Sequence, residues 1–397
     1  MTLSDATKRN RAWSLILSST ICSLMLIFAD AVAQAKVLDL CVDPSDVPKC
    51  SATIQAAVLL VPAKHSAVIT IAAGTYAEDV TVSNITVSFV GAGAGKTIVD
   101  GTNSSQLPTF LFQNKSVGEL HAMTIENGDG TQGSNVQFIQ YASAKSNTGA
   151  GTLKIENCEI TGGVHPSDVG GLGAVAFAGK TLTIDSSSIS NNSEEGLILL
   201  NASLSHAYIT NTTITGNETP ANQGDPTGCG IHTSTATVVL NNDTITDNQC
   251  SGGTGAGHSP TVGGGLYVDF PGSVSIANTI IAKNTVSGTN PAGPDCYAPG
   301  TKVKSKGYNL IKNTSACNIK LTKTDLLPGT DPGLSAPAEC LSSSLLVLAP
   351  EGGSPIIAKG NPGKPAGKIG VSSASCLPTD ECGTARAKGT CSIGAIE

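Results

Sequence analysis

LKIENCEITGG (Leu153–Gly163), LTIDSSSISNN (Leu182–Asn192), AYITNTTITGN (Ala207–Asn217), VVLNNDTITDN (Val238–Asn248) and VSIANTIIAKN (Val274–Asn284) are copies of one phrase. Each keeps an aliphatic residue, a small polar residue two places on, an isoleucine three later, and Asn or Gly three after that. A weaker copy precedes them at Leu120, Ala122, Ile125 and Gly128. The first aliphatic position falls at Leu120, Ile155, Ile184, Ile209, Leu240 and Ile276, in steps of 35, 29, 25, 31 and 36. Self-similarity at such spacing predicts a repeat architecture, in which each unit buries its apolar face only against its neighbours.

Within each copy the signal is short, alternating and β-branched, with no apolar stripe at helical spacing. A second strand opened by glycine precedes most copies: Gly173–Phe177, Gly196–Leu199, Gly230–Thr233 and Gly265–Val268. Two or three short strands per unit, turned by Gly and Asn, predict an all-β parallel solenoid. Unequal steps fit, because insertions enter the loops between strands. Asn192, Asn217, Asn248 and Asn284 are expected to stack as a structural ladder at one corner.

Met1–Ala35 reads as a secretory signal peptide: Lys8, Arg9 and Arg11 form a basic start, Trp13–Phe28 an apolar run, and Ala33-Gln34-Ala35 a small-x-small cleavage pattern. The expected product is secreted or periplasmic and carries no membrane anchor. Removing that segment leaves 20 basic against 28 acidic residues, a net charge of −8. This balance argues against nucleic acid and anionic membranes as partners. It also makes an anionic polysaccharide awkward unless a divalent cation intervenes.

Of 12 cysteines, Cys22 leaves with the signal peptide, and an exported chain should pair most of the others. Cys41 and Cys50 can close a small loop. Cys229 and Cys250 are 21 apart, as are Cys296 and Cys317. If 21 residues circle the coil once, partners sit about 4.8 Å apart, within disulfide reach. Cys340, Cys376, Cys382 and Cys391 can form two further bridges whose pairing stays open, and Cys158 reads as a buried thiol. No metal ligand set is indicated, and no resident cofactor is expected, with calcium possible.

Ahead of the repeats, Ser51–Pro62 reads as a short capping helix with Ser51 as N-cap. Strands are expected at Val68–Ala72, Gly74–Glu78 and Asn84–Val90. The expected division is 1–35 signal peptide, 36–66 N-terminal segment and capping helix, 67–315 solenoid, and 316–397 irregular, disulfide-rich capping region. The pieces TIQAAV, IAAGTYAEDV and FVGAGAGKTIVDG resemble the N-terminal end of pectin-lyase-like, right-handed parallel β-helix proteins. The tail pieces GGGLYV (Gly263–Val268), NTIIAKN (Asn278–Asn284), GYNLI (Gly307–Ile311), GSPII (Gly353–Ile357) and CSIGAIE (Cys391–Glu397) resemble bacterial exported proteins with a choice-of-anchor Q domain. The resemblance implies fold and export but no shared reaction.

Chemistry therefore rests on residues. Related lyases use a basic residue with calcium-binding carboxylates, and related methylesterases two aspartates and an arginine. Beyond the signal segment the chain has one arginine, Arg386, in the tail. Tyr76–Glu78 resembles part of an esterase motif without the later signatures. Strand alternation sends His232, Tyr267 and Asp269 to one outer face as candidate catalytic residues; Asp243 and Asp247 read as a surface pair beside rung mates Ala277 and Lys283. The reading leans away from an enzyme. It expects a monomeric surface or adhesion-type protein binding a polysaccharide or protein partner, with a polysaccharide lyase or glycoside hydrolase as the alternative.

Overall fold

The computed structural model describes residues 37–101, 106–131, 133–139, 151–164, 173–200, 205–219, 228–234, 236–253, 259–363, 375–387 and 389–397. The expected signal peptide lies outside these residues.

One turn of the chain carries three strands, for example Val175–Ala178, Thr181–Asp185 and Ser188–Ser190. Equivalent strands of successive turns pair in parallel and form three rows, here called A, B and C. Rows A and B belong to an 18-stranded sheet, and row C is a 9-stranded sheet from Gly74–Ala77 to Leu310–Ile311. This is a parallel β-helix, with one six-residue helix at its start.

The repeated phrase is the register of rows B and C. Leu120, Ile155, Ile184, Ile209, Leu240 and Ile276 are direct partners on row B. Ile125, Ile160, Ile189, Ile214, Ile245 and Ile281 are partners on row C. All are buried. Row A supplies Phe112, Phe138 and Phe177 to the same interior, with ring centroids 6.0 and 5.1 Å apart. Replacing one stacked isoleucine by alanine should cost about 2–5 kcal/mol, because neighbouring rungs cannot collapse into the gap.

The small polar residue of the phrase makes the corner between rows B and C. Asn157, Asn211, Asn242 and Asn278 lie at φ between 47° and 61°, the left-handed region where Asn is favoured among non-glycine residues. At the corner after row C, side-chain amides form a ladder. Asn192 donates to Asn217 at 2.8 Å, Asn217 to Asn248 at 2.8 Å, and Asn248 to Asn284 at 2.9 Å. Asn135 joins at one end and Asp295 accepts at the other. Asn217 uses both donors and both lone-pair directions, also reaching the Ile189 carbonyl and the Asn192 amide.

The helix is Ile54–Leu59, and its N-cap is Thr53, whose hydroxyl accepts from the Ala56 amide at 3.1 Å. Ser51 instead forms a β-bridge with Val42, so the expected cap position moves by two residues. Glu78 accepts from the Ile54 and Gln55 amides at 2.7 and 2.9 Å, and Tyr76 is buried with its hydroxyl on the Ala72 carbonyl. The esterase-like fragment is thus spent on helix capping and core packing.

Disulfides join Cys41–Cys50, Cys229–Cys250, Cys296–Cys317, Cys340–Cys382 and Cys376–Cys391, and Cys158 is a buried free thiol. Burial pushes the Cys158 thiol up to about 12, so it stays protonated and unreactive. Five bridges place the chain in an oxidising compartment.

After Leu310–Ile311 the chain runs back along row C. Leu334, Leu348, Ile356 and Ile393 pack on Ile280, Ala282 and Leu310, and farther along Cys340, Leu345, Val347 and Ile396 pack around Ala94. Row C hydroxyls face this strap: Thr213 donates to Glu381, Thr244 accepts from the Ala395 amide at 3.0 Å, and Ser188 accepts from the Leu346 amide at 3.2 Å. Arg386 fixes it by donating to Glu397, Asn211 and the carbonyls of Thr379, Gly394 and Ala395. The tail lies along the flank of the solenoid.

This strap corrects the reading of Asp243. The rung mate of Asp243 is Thr279, one register step beyond the Asn242–Asn278 corner, not Ala277, which pairs with Asn241. Asp243 is fully buried, with one oxygen on the Thr212 amide, and burial drives its carboxyl well above the usual range. Only Asp247 is on the surface.

Candidate functional site

Two outer faces carry chemistry. The first is row A of the later turns. His232 and Tyr267 are register partners, as are Tyr267 and Tyr297. Their rings form a file: His232 to Tyr267 at 4.8 Å edge to face, Tyr267 to Tyr297 at 5.9 Å stacked. Gly228 and Gly263 make this file possible. Both lie at φ near +70°, and a Cβ there would stand 2.8 and 2.7 Å from the His232 and Tyr267 Cβ atoms.

The file is a poor base. Burial lowers His232 to about 4, with Asp269 opposing the shift, so the imidazole is neutral at physiological pH and weakly basic. Tyr267 is raised by burial, then by Asp269 and Tyr297. Asp269 ends the strand, exposed, with Oδ1 accepting from the Phe270 amide at 2.8 Å. The three candidates are neighbours, yet burial leaves neither His232 nor Tyr267 poised to take a proton near neutrality.

The second face is the outside of row B, which the sequence reading passed over. Its central file runs Glu119, Lys154, Thr183, Tyr208, Val239, Ser275, Lys304 and Lys320, each the register partner of the next. Row B strands alternate buried and half-exposed residues, whereas row C strands such as Thr213–Thr215 and Thr244–Thr246 are buried throughout. Row B is therefore the open flank.

Two depressions follow one another along it. One, of about 340 Å³, is lined by Glu119, Thr152, Lys154, Thr181, Thr183 and Tyr208. The next, of about 700 Å³, is lined among others by Thr237, Ser273, Ser275, Lys302, Lys304 and Lys320. Tyr208, at the edge of the first, faces His206 on the same strand, with rings 6.4 Å apart and planes 11° from parallel. Such a flat amphipathic pair with flanking hydroxyls can stack on and hydrogen-bond a sugar ring.

Charge is graded along the groove. At its early end His121 contacts Glu156 at 3.0 Å and Glu119 at 3.4 Å, and Lys154 also binds Glu156. On the next rung Asp185 partners Glu156 and accepts from Thr210 at 2.6 Å, and burial raises its carboxyl above the usual range. At the far end stand the three lysines. Among the described residues no group of three or more His, Cys, Asp or Glu side chains could hold a metal ion.

The family model described as the right-handed beta helix region matches residues 142–323, which span both faces. The fold is thereby a right-handed parallel β-helix. Among solved structures, a pectin methylesterase from carrot is similar, at 12% identity and a TM-score of 0.39, over 72% of this chain and 88% of that one. A search of curated proteins gives no match. Arg386, the one arginine after residue 35, is buried in the strap.

Proposed function

We propose that this is an exported, non-catalytic binding protein that takes a polysaccharide along the outer face of row B. The observation that carries the reading is the pair of successive depressions on row B, one lined from Glu119 to Tyr208 and the next from Thr237 to Lys320, with the His206–Tyr208 rings close to both. Rungs repeat every ~4.8 Å, a spacing suited to successive sugars of an extended chain. Hydroxyls and one aromatic platform supply affinity through stacking and hydrogen bonds. The disulfides support export, and the resemblance of the tail pieces to choice-of-anchor Q proteins agrees with it.

The test incubates the full-length protein with plant, algal and bacterial polysaccharides, with and without calcium, and analyses retained material and soluble products. The expected result is retention without new oligosaccharides, weakened about tenfold in Tyr208→Ala, as loss of one stacking contact predicts. Unchanged retention by Tyr208→Ala would sink the assignment of this face.

A second reading, glycoside hydrolysis, has one specific observation behind it. Glu156, in contact with Lys154 and His121, and Asp185, a carboxyl raised by burial, stand on adjacent rungs. Two neighbouring carboxyl groups, one of them raised by burial, are the kind of pair that glycosidases use. New reducing ends that disappear in Asp185→Asn would favour it.

A further inference from the structure

We infer that the late end of the row B groove is specific for a sulfated polysaccharide, an assignment that rests on the polysaccharide reading above and narrows it. The argument is one of charge density. Lys304 and Lys320 are direct register partners, so their stems leave the sheet about 4.8 Å apart. Lys302 is two residues before Lys304 on the same face, about 7 Å away along the strand. All three are exposed and line the 700 Å³ depression. Like charges placed directly opposite each other across strands are destabilising. The chain nevertheless gathers them, although it is acidic overall, with a net charge of −7.

Among the described residues no ion pair includes Lys302, Lys304 or Lys320. The carboxylate at this edge, Asp325, is engaged by Ser305 at 2.7 Å, the Asn309 amide at 3.0 Å and the Thr322 amide at 2.6 Å. The lysines therefore rim a depression whose walls mix serine and threonine hydroxyls with aliphatic side chains such as Ile319 and Leu321. Three cations within about one sugar length call for a chain with more than one negative charge per sugar. A polyuronate carries one carboxylate per sugar, and a neutral chain none. Sulfate esters supply the higher density and keep their charge at any physiological pH. Lysine suits this task, since its ammonium acts as a mobile point charge and needs no fixed bidentate geometry.

The experiment titrates full-length protein with dextran sulfate, and with dextran and polygalacturonate of matched length, at low and at physiological salt. Dextran sulfate should bind at least tenfold more tightly than polygalacturonate, and added salt should erode that advantage. The double variant Lys304→Gln, Lys320→Gln should lose the advantage, while its thermal midpoint stays level or rises as the repulsion is relieved. Equal affinity for dextran sulfate and polygalacturonate, or a double variant that binds like the wild type, would overturn the inference. So would a lowered midpoint, which would assign the lysines to the fold. Binding weakened by Tyr208→Ala but not by the lysine substitutions leaves the polysaccharide reading intact and removes the sulfate preference. Binding of no polysaccharide removes both.

Discussion

Rows B and C are built from the same repeated phrase, yet one flank is open and the other is strapped. On row C the outward serines and threonines spend their hydroxyls on the tail, and Glu381, Asp243 and Arg386 are buried beneath it. On row B the outward side chains change from rung to rung, and Lys302, Lys304 and Lys320 keep their charges for solvent or a ligand. A covered flank must satisfy most of the polar groups it buries, although Asp243 Oδ2 and Glu381 Oε1 find no partner among the described residues. An open flank is released from that demand and can specialise. The strapped flank is thus the regular one, and the open flank is the irregular one.

The largest effect separating the flanks should come from Arg386→Ala. The side chain is 1% exposed and makes five hydrogen bonds, so its loss strands Glu397 and several carbonyls. Breaking one partner of a buried charged pair costs about 3–5 kcal/mol. Chemical denaturation should show that loss together with early proteolysis of the tail, while an equally conservative Lys302→Ala on row B should leave stability unchanged.

Asn217→Ala comes next. It leaves the Ile189 carbonyl, the Asn192 amide and the Asn248 oxygen without their partner inside the ladder. With about 1–3 kcal/mol for each group left unsatisfied and partial relaxation, a total near 3 kcal/mol is expected from denaturant midpoints.

A smaller, pH-dependent effect belongs to Glu194, buried at the ladder corner with Oε1 on Ser134. Burial pushes its carboxyl up to about 7. A carboxyl raised in the folded state contributes stability that is fully present below its unfolded value of about 4.3 and is lost as pH rises through about 7. Thermal midpoints should therefore fall across that window, by an amount of order 3 kcal/mol at most. Glu194→Gln should flatten the slope, and an unchanged slope would remove Glu194 as its cause.

The regular half was legible in the sequence because inward positions must match from rung to rung. Ile155, Ile184 and Ile209 repeat since each packs on the next, and Asn192, Asn217, Asn248 and Asn284 repeat since each bonds the next. The strap was not legible, because its partners are far apart in the chain: the Leu377 amide meets Asn242 across 135 residues, and Thr213 meets Glu381 across 168. Asp243 was misplaced for that reason, since alternation alone cannot say which flank a tail will cover. On row A, alternation located His232, Tyr267 and Asp269 on one face but could not foresee the burial that makes His232 a weak base. The row B site escaped notice because outward residues need not repeat; Lys154, Thr183, Tyr208, Val239 and Ser275 share a file without sharing chemistry. An acidic total likewise does not show where Lys302, Lys304 and Lys320 gather.

Hydroxyl-radical footprinting of the full-length protein, read by mass spectrometry with and without a retained polysaccharide, tests the central claim most directly. Both faces carry oxidisable rings, so each reports on itself. The account predicts protection of His206 and Tyr208 on row B, with Tyr267, Tyr297 and Phe270 reacting as in the free protein. Protection confined to the row A rings would contradict it and move the binding face to the other side of the coil.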